Sequence, residues 1–495
     1  MATRVRVALA AGDGIGPEIM DATVHLFQEA GVLNFVDFVP VEMGARVFAS
    51  GNTRGMTAEA IRTVEDCGIL FKGPMETPKG GGGKSINVTA RKLWNAYANL
   101  RVFKSLPGVQ TVYSRAGLAI NMAIVRENIE DTYGGVEHRL SNDMIQCKRL
   151  ISAPGCDQVS RFAFETARKM GLTKVHCGHK ANIMKMTDGL FLERFREAAK
   201  AHPEIEIADV IVDALCMNLV VKPQQYQMVV LPNLQGDIVS DLCAGLVGGL
   251  GFAPSANIGN HMAIFEAVHG TAPDIAGKGV ANPTSLILSG LMMLRHLCLA
   301  REAALIENAL LATLESGVRT GDFGDPSRPP VGTREFTKAI VERLGTTPKT
   351  VPAVTVPEAG ETCFTKPTRP VAQRVIRTFT NVVTHVVGCD VYLDSPLSPA
   401  SIAEEMQRLS ADTPFVLTLI SNRGTQVWPT GSVFTECVDY YRVRFELRDG
   451  VTPGTIDQAR AIDLLRNVTA KFIVCSYELL RTFDGAKGFS LAQGQ

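Results

Sequence analysis

Arg4-Val-Arg-Val-Ala-Leu-Ala10, followed by Gly12-Asp-Gly-Ile-Gly-Pro17 and then by residues 18–29, is the stretch that decides the architecture. Residues 4–10 read as a strand and the glycines as a turn. Residues 18–29 read as a helix, with Ile19, Met20, Val24, Leu26 and Phe27 as its apolar positions. The strand, glycine turn and helix pattern returns through 61–73 and 157–180. Such alternation predicts an α/β domain. Continuous apolar runs such as Val229-Val-Leu231 read as strands covered on both faces.

Outward from there, residues 331–344 form the pattern of a closing amphipathic helix, after which the composition changes. Residues 345–371 carry Pro348, Pro352, Pro357, Pro367 and Pro370 among many threonines, the composition of a linker. A second pattern follows. Strands are expected within 379–394 and over 415–420 and 441–447, and helices over 399–409 and 455–468. Residues 472–480 are apolar without a decisive period. A small C-terminal α+β domain with ferredoxin-like order fits. It suits a subunit interface or a small-effector site, and the interface is preferred.

The chain has 495 residues, room for two or three domains. Lys+Arg and Asp+Glu each total 50, so there is no bulk charge to attract nucleic acid or a membrane. The 11 cysteines are scattered with no Cys-x-x-Cys pair, against a disulfide framework or zinc knuckle. Most, such as Cys216 and Cys243, read as reduced core residues. The N-terminus has no signal or transit pattern, and no run of about 18 apolar residues suggests a membrane span. A cytoplasmic protein is expected.

Two motifs mislead. Gly80-Gly-Gly-Gly-Lys84-Ser85 lacks the first glycine of a phosphate-binding loop, because Pro78 stands there. Gly12-x-Gly14-x-Gly16 puts Pro17 where the third glycine of a dinucleotide fingerprint belongs, so any NAD site must be built in a non-Rossmann manner.

Four constellations carry chemistry. Ser85-x-Asn87-x-x-x-Arg91, with Arg101 and Arg126, suits a polycarboxylate, since guanidinium pairs carboxylate in two-point fashion; surface ion pairs are the plainer explanation for any one of them. Asp237 and Asp241 lie four apart on one helical face, with Asp213 upstream. Like charges so placed repel unless a cation intervenes, and carboxylates suit Mg²⁺ or Mn²⁺. The segment from His269, Gly270, Thr271 and Ala272 through Asp274 and Ile275 to Asn282 is a loop of small residues that lets a ligand approach the backbone; an ordinary turn before a helix near Asn282 is its bland reading. An acid such as Asp274 can hold ribose hydroxyls and repel a 2′-phosphate. Tyr133 and Lys180 are candidate proton-transfer groups, though each alone is more often structural.

In this order and spacing, the segments over residues 3–344 resemble the β-decarboxylating dehydrogenases, the family of isocitrate, 3-isopropylmalate and homoisocitrate dehydrogenases. The resemblance implies a two-domain core. Residues 1–97 and 248–344 would form a large cofactor-binding domain and 98–247 a small domain with a dimer-forming segment. A linker over 345–371 and the C-terminal domain over 372–495 would resemble the longer bacterial form. It further implies that Ser85, Asn87, Arg91, Arg101, Arg126 and Asn182 bind isocitrate, and that Asp237 and Asp241 hold Mg²⁺ or Mn²⁺ with Asp213 of the other subunit. Tyr133, and Lys180 from that other subunit, would transfer protons. Thr77, Glu266, His269, Gly270, Thr271, Ala272, Asp274, Ile275 and Asn282 would line the cofactor site. The family's NADP members carry Lys and Tyr at the positions of Asp274 and Ile275, so NAD is expected. The implied activity is metal-dependent oxidative decarboxylation of isocitrate to 2-oxoglutarate in the tricarboxylic acid cycle, by an obligate dimer, under a lid over 80–83. Isopropylmalate or homoisocitrate dehydrogenase, or a non-catalytic regulatory subunit, are the alternatives.

Overall fold

The computed structural model describes residues 4–76, 85–356, 382–432 and 434–490. The chain divides into two units: residues 1–134 with 149–372, and residues 135–148 with 373–495.

In the first unit the opening pattern becomes β1 (Val5–Ala10) and a helix over Gly16–Glu29, with Ile19, Met20, Leu26 and Phe27 buried. The strands continue as β2 (Val36–Pro40), β3 (Ile69–Lys72), β4 (Ala98–Lys104) and β5 (Asn121–Glu127). After β6 (Glu137–Arg139) and β7 (Ile145–Cys147), which pair only with each other, come β8 (Lys174–His179), β9 (Glu206–Ile211), β10 (Met228–Leu231), β11 (Pro254–Ile258) and β12 (Ala263–Ala267). Ten of them form one sheet in the order β2-β1-β3-β12-β11-β4-β5-β10-β8-β9. Its flanks are parallel, as strand-helix-strand crossovers require, whereas β12-β11-β4-β5 pair antiparallel at the centre. Every residue of β10 is buried, which explains its unbroken apolar run.

The glycine turn after β1 serves packing. Gly14 has φ +60°, and a Cβ there would lie 2.0 Å from the Thr271 carbonyl oxygen. Ile15 N donates to that same oxygen at 2.9 Å. The glycines therefore let the turn close against the 269–275 loop, a different use from cradling pyrophosphate. Cys243 sits in an apolar cluster with Leu215, Leu219 and Val239.

The helix anticipated over 331–344 spans Thr333–Val341. In the second unit, β13 (Thr384–Asp394), a helix Pro399–Leu409, β14 (Phe415–Asn422), β15 (Thr425–Trp428), β16 (Tyr440–Leu447), a helix Gln458–Thr469, β17 (Ile473–Phe483) and β18 (Ala486–Lys487) follow in order. The segment left undecided at 472–480 is thus a strand. The sheet order β15-β14-β16-β13-β17-β18, antiparallel throughout, contains the ferredoxin-like arrangement with short additions at both edges. Its core includes Val391, Ile402, Met406, Phe445 and Leu464. Arg444 crosses it buried, paired with Asp390 at 2.7 and 2.8 Å. The β6–β7 hairpin belongs to this unit: Ser141 Oγ donates to Asp439 at 2.6 Å and Lys148 Nζ to Glu478 at 3.0 Å. Among the described residues no helix is long and apolar enough to cross a membrane.

Candidate active site

The antiparallel centre of the sheet carries polar side chains where a core would ordinarily be apolar. Asn99 Nδ2 donates to Ser255 Oγ at 2.7 Å and to Asn257 Oδ1 at 2.9 Å, and its own oxygen accepts from Arg101 Nε at 2.8 Å. This network aims Arg101 off β4 toward the helix Asn233–Leu246. There Arg101 meets Ser240 Oγ at 2.7 Å and Asp237 and Asp241 at 3.3 Å each. Arg126, opposite Asn99 on β5, is 1% exposed and pairs with Asp237 and Asn233. Gly236 leaves space for it, since a Cβ there would stand 2.7 Å from Arg126 Cγ. The Tyr133 ring lies under the Arg126 guanidinium, 4.9 Å from its centroid, and the phenol donates to Asp237 Oδ2 at 2.5 Å.

Arg91 is held from below. Glu266 accepts from its Nη2 at 2.8 Å and also pairs with Lys72, all but inaccessible at the end of β3. Burial works against the Glu266 charge, yet Lys72 and Arg91 keep its carboxyl well below the usual carboxylate range. Lys72 Nζ also donates to Asn87 Oδ1 at 2.8 Å. Ser85 caps the helix Ile86–Leu93, accepting from Val88 N at 3.5 Å. Arg91, Asn87, Arg101, Arg126, Tyr133, Asp237 and Asp241 are therefore gathered by direct bonds and shared charge.

Glu266 places one oxygen on Lys72 and the other on Arg91 and Asn257, so it buttresses the arginine cluster from beneath. Lys72, Asn99, Asn257, Ser240 and Asn233 were not foreseen. Lys72 had a legible sign, a charge closing the apolar run Ile69-Leu-Phe. Asn99 and Asn257 had none, because their role depends on cross-strand register.

The electrostatics divide the two acids. Burial tends to raise the Asp237 carboxyl, but Arg126 and Arg101 overcome it and hold it low. Asp241 is raised, by burial first and by the Asp237 charge. Two hard carboxylates on one helical face, the second raised despite its contact with Arg101, fit a divalent cation. Among the described residues no single-chain group of three or more His, Cys, Asp or Glu could hold a metal. Asp213 stands elsewhere, 69% exposed and bound to Lys180 Nζ at 2.6 Å. Lys180 directly follows β8, and Asn182 is exposed two residues beyond.

In the cofactor loop, Ala272 has φ +39°, a left-handed conformation for a residue with a Cβ. Asp274 is exposed and Ile275 borders on it, while Asn282 donates to Asp322 at 3.0 Å. Among the described residues, His269 Nε2 is buried without a hydrogen-bond partner and a Cβ on Gly270 would meet nothing within 4 Å. An unanswered ring nitrogen beside open space fits a group lying along this loop. Thr77, and the lid anticipated over 80–83, lie outside the described residues.

A helix-borne acid pair facing guanidinium groups, on a sheet whose glycine turn packs against a second loop, marks an α/β enzyme of small polycarboxylates. Residues 6–340 match the isocitrate/isopropylmalate dehydrogenase family model, and residues 384–495 match the model of the bacterial isocitrate dehydrogenase C-terminal domain. The chain belongs to the isocitrate/isopropylmalate dehydrogenase family. It is 44% identical to the NADP isocitrate dehydrogenase of Thermus thermophilus, over 99% of this chain and 96% of that one. It is 47% identical to a mitochondrial regulatory chain of the NAD isocitrate dehydrogenase of Dictyostelium discoideum, over 68% of this chain and 93% of that protein. A crystal structure of a protein from Thermus thermophilus superposes with TM-score 0.90 at 42% identity, covering 99% and 96% of the two chains. Isocitrate dehydrogenase from Methylococcus capsulatus gives 0.65 at 43% identity, covering 68% of this chain and 99% of its own.

Proposed function

We propose that this protein is a homodimeric, Mg²⁺- or Mn²⁺-dependent isocitrate dehydrogenase that forms 2-oxoglutarate and CO₂ with NAD. The observation that carries the reading is Asp237 gripped by Arg101, Arg126 and Tyr133 while Asp241 waits one turn away. A tricarboxylate arriving with a cation satisfies both partners at once: its carboxylates take the guanidinium groups, and the aspartates are released to the ion. Isocitrate is favoured over the alkyl substrates because Ser85 and Asn87 offer polar groups. The relatives named isocitrate dehydrogenase support this.

The cation would be held by Asp237 and Asp241 with Asp213 of the partner subunit, and the dinucleotide by the 269–275 loop and Asn282. When bound, the one supplies charge that acidifies the substrate hydroxyl and the other a hydride acceptor. Arg91, Arg101 and Arg126 orient the carboxylates. The Lys180–Asp213 pair, supplied by the partner subunit, takes the proton of the 2-hydroxyl. After CO₂ departs, Tyr133 delivers a proton to C3. Burial, reinforced by Asp237, holds the phenol above its ordinary pKa, so it carries that proton at neutral pH.

Support for a shared site comes from exposed apolar residues beside these groups. Ile183 is 70% exposed, Val221 64% and Ile238 61%, on the three segments that bear Lys180, Asp213 and Asp237. Apolar surface of this kind is what a two-fold partner covers. The C-terminal unit is read as a further subunit interface.

The full-length Thermus thermophilus relative, named for NADP, argues one way on the cofactor, and Asp274, an acid where a 2′-phosphate would need a cation, argues the other. Turnover of NAD against NADP, with isocitrate and Mn²⁺, decides. Preference for NADP ends the NAD assignment, and full activity in excess chelator ends the metal assignment. Faster turnover of isopropylmalate or homoisocitrate ends the substrate assignment. Mixing Tyr133→Phe and Lys180→Met chains should give mixed dimers with about half the wild-type activity, roughly a quarter for an equal mixture, because one site of each mixed dimer is then intact; no recovery would mean the site is not shared.

A further inference from the structure

Arg149 stands apart from the arginine cluster. Its Nε reaches Asp131 Oδ1 at 2.5 Å and its Nη1 reaches Asp188 Oδ1. Both acids are wholly buried. A guanidinium between two buried carboxylates is, at its plainest, charge balance. The remaining bonds of those carboxylates point further. Asp131, at φ +67°, accepts from Thr132 N at 2.8 Å, next to Tyr133. Its other oxygen accepts from Leu234 N at 3.0 Å, in the first turn of the helix that carries Asp237 and Asp241. Asp188 accepts from the backbone N of Lys180 at 2.7 Å and from Gln235 Nε2 at 2.9 Å. Each bond not spent on Arg149 thus ends on a residue beside, or identical with, a group assigned to the chemistry.

We propose that Arg149 is a positioning residue that sets the Tyr133 turn, the Asp237 helix and Lys180 relative to one another. On the shared-site reading, from which this second step follows, Lys180 acts in the partner's site while Tyr133 and Asp237 act in the chain's own. Arg149 then couples the two sites of a dimer through the body of each subunit. The coupling needs no moving part, because a guanidinium fork locks two carboxylates in one plane and a backbone N–H hangs from each.

Arg149→Met and Arg149→Lys test it, with folding checked by circular dichroism and thermal melting. Displacement of reacting groups by about 1 Å costs on the order of 100-fold in rate, so kcat should fall at least ~10-fold in the folded variants. The KM for isocitrate should stay within about threefold, because neither Arg149 nor the two acids it bridges bond directly to Arg91, Arg101 or Arg126. Lysine should not rescue, since it cannot bridge both acids. Unchanged kcat, or a loss that merely follows the unfolded fraction, overturns the proposal. Should neither variant fold, Gln235→Ala, which removes one bond to Asp188, is read for the same split of kcat from KM.

Mixed dimers read the coupling. A wild-type chain paired with Tyr133→Phe should keep about half its activity, one site being spared. Paired with Arg149→Met it should keep far less than half, because each site receives one displaced group; half would overturn the coupling. Failure of the Tyr133→Phe and Lys180→Met mixture to recover would remove the shared site and the coupling with it. The kcat result in the Arg149 homodimers would stand as the separate test of positioning.

Discussion

Lys72 and Glu266 form an ion pair at the floor of the arginine cluster, each at most 5% exposed at the side chain. Removing one member of a buried pair costs at most about 3–5 kcal/mol, and less here because Glu266 keeps Arg91 as a partner. Lys72→Met should therefore lower stability by less than that in urea unfolding and raise the KM for isocitrate through Asn87 and Arg91. The double variant Lys72→Met, Glu266→Gln should regain part of the stability, and equal loss in both would argue against the pair. Glu127, beside Arg126 on β5, is a different case. Burial pushes its carboxyl from 4.5 to about 7, against hydrogen bonds from the Ile129 and Glu130 backbone. The folded state thus binds the proton more tightly than the unfolded one. Its contribution is full below pH 4.5 and is lost as pH rises through about 7. Glu127→Gln should gain stability over the wild type progressively across that window. A parallel pair of stability-against-pH curves would contradict it.

At the scale of elements, the helix Val212–Val221 buries Leu215 and Leu219 while leaving Met217 58% and Val221 64% exposed. A helix apolar on both faces needs a second cover. Met217→Lys with Val221→Lys should yield a folded monomer with kcat below about 1% of wild type, if Lys180 and Asp213 serve a partner. Sedimentation and kinetics check this, and an active monomer would defeat the dimer. Helix and strand types were largely legible because burial follows periodicity. The Gly16–Glu29 helix and β10 match their patterns closely, and Pro399–Leu409 falls where its pattern put it. Residues 472–480 resisted because β17 lies at the sheet's flank, half-covered, with no clean alternation.

For the molecule as a whole, each unit owns its core, and the residues assigned to chemistry all belong to the first. Truncation after residue 356 should leave an active dimer of lower thermal stability. Its β6–β7 hairpin loses the partners Asp439 and Glu478. If the C-terminal unit is a subunit interface, light scattering should also show any assembly larger than a dimer disappear; an unchanged assembly would remove that role. The hairpin's attachment to a unit more than two hundred residues away had no sign in its sequence, since nothing local encodes a long-range pairing.

The amino-acid order by itself determined the α/β alternation, the ferredoxin-like tail and most of the charged groups of the site. Periodicity and motif spacing are local properties, and they survive without knowledge of what packs on what. Only the tertiary structure decided that the glycine turn is a packing device, that Glu266 supports an arginine from beneath, and that Asp213 sits with Lys180 away from Asp237. Those outcomes depend on which strands become neighbours and which buried charges find each other, and both are settled by the closed sheet.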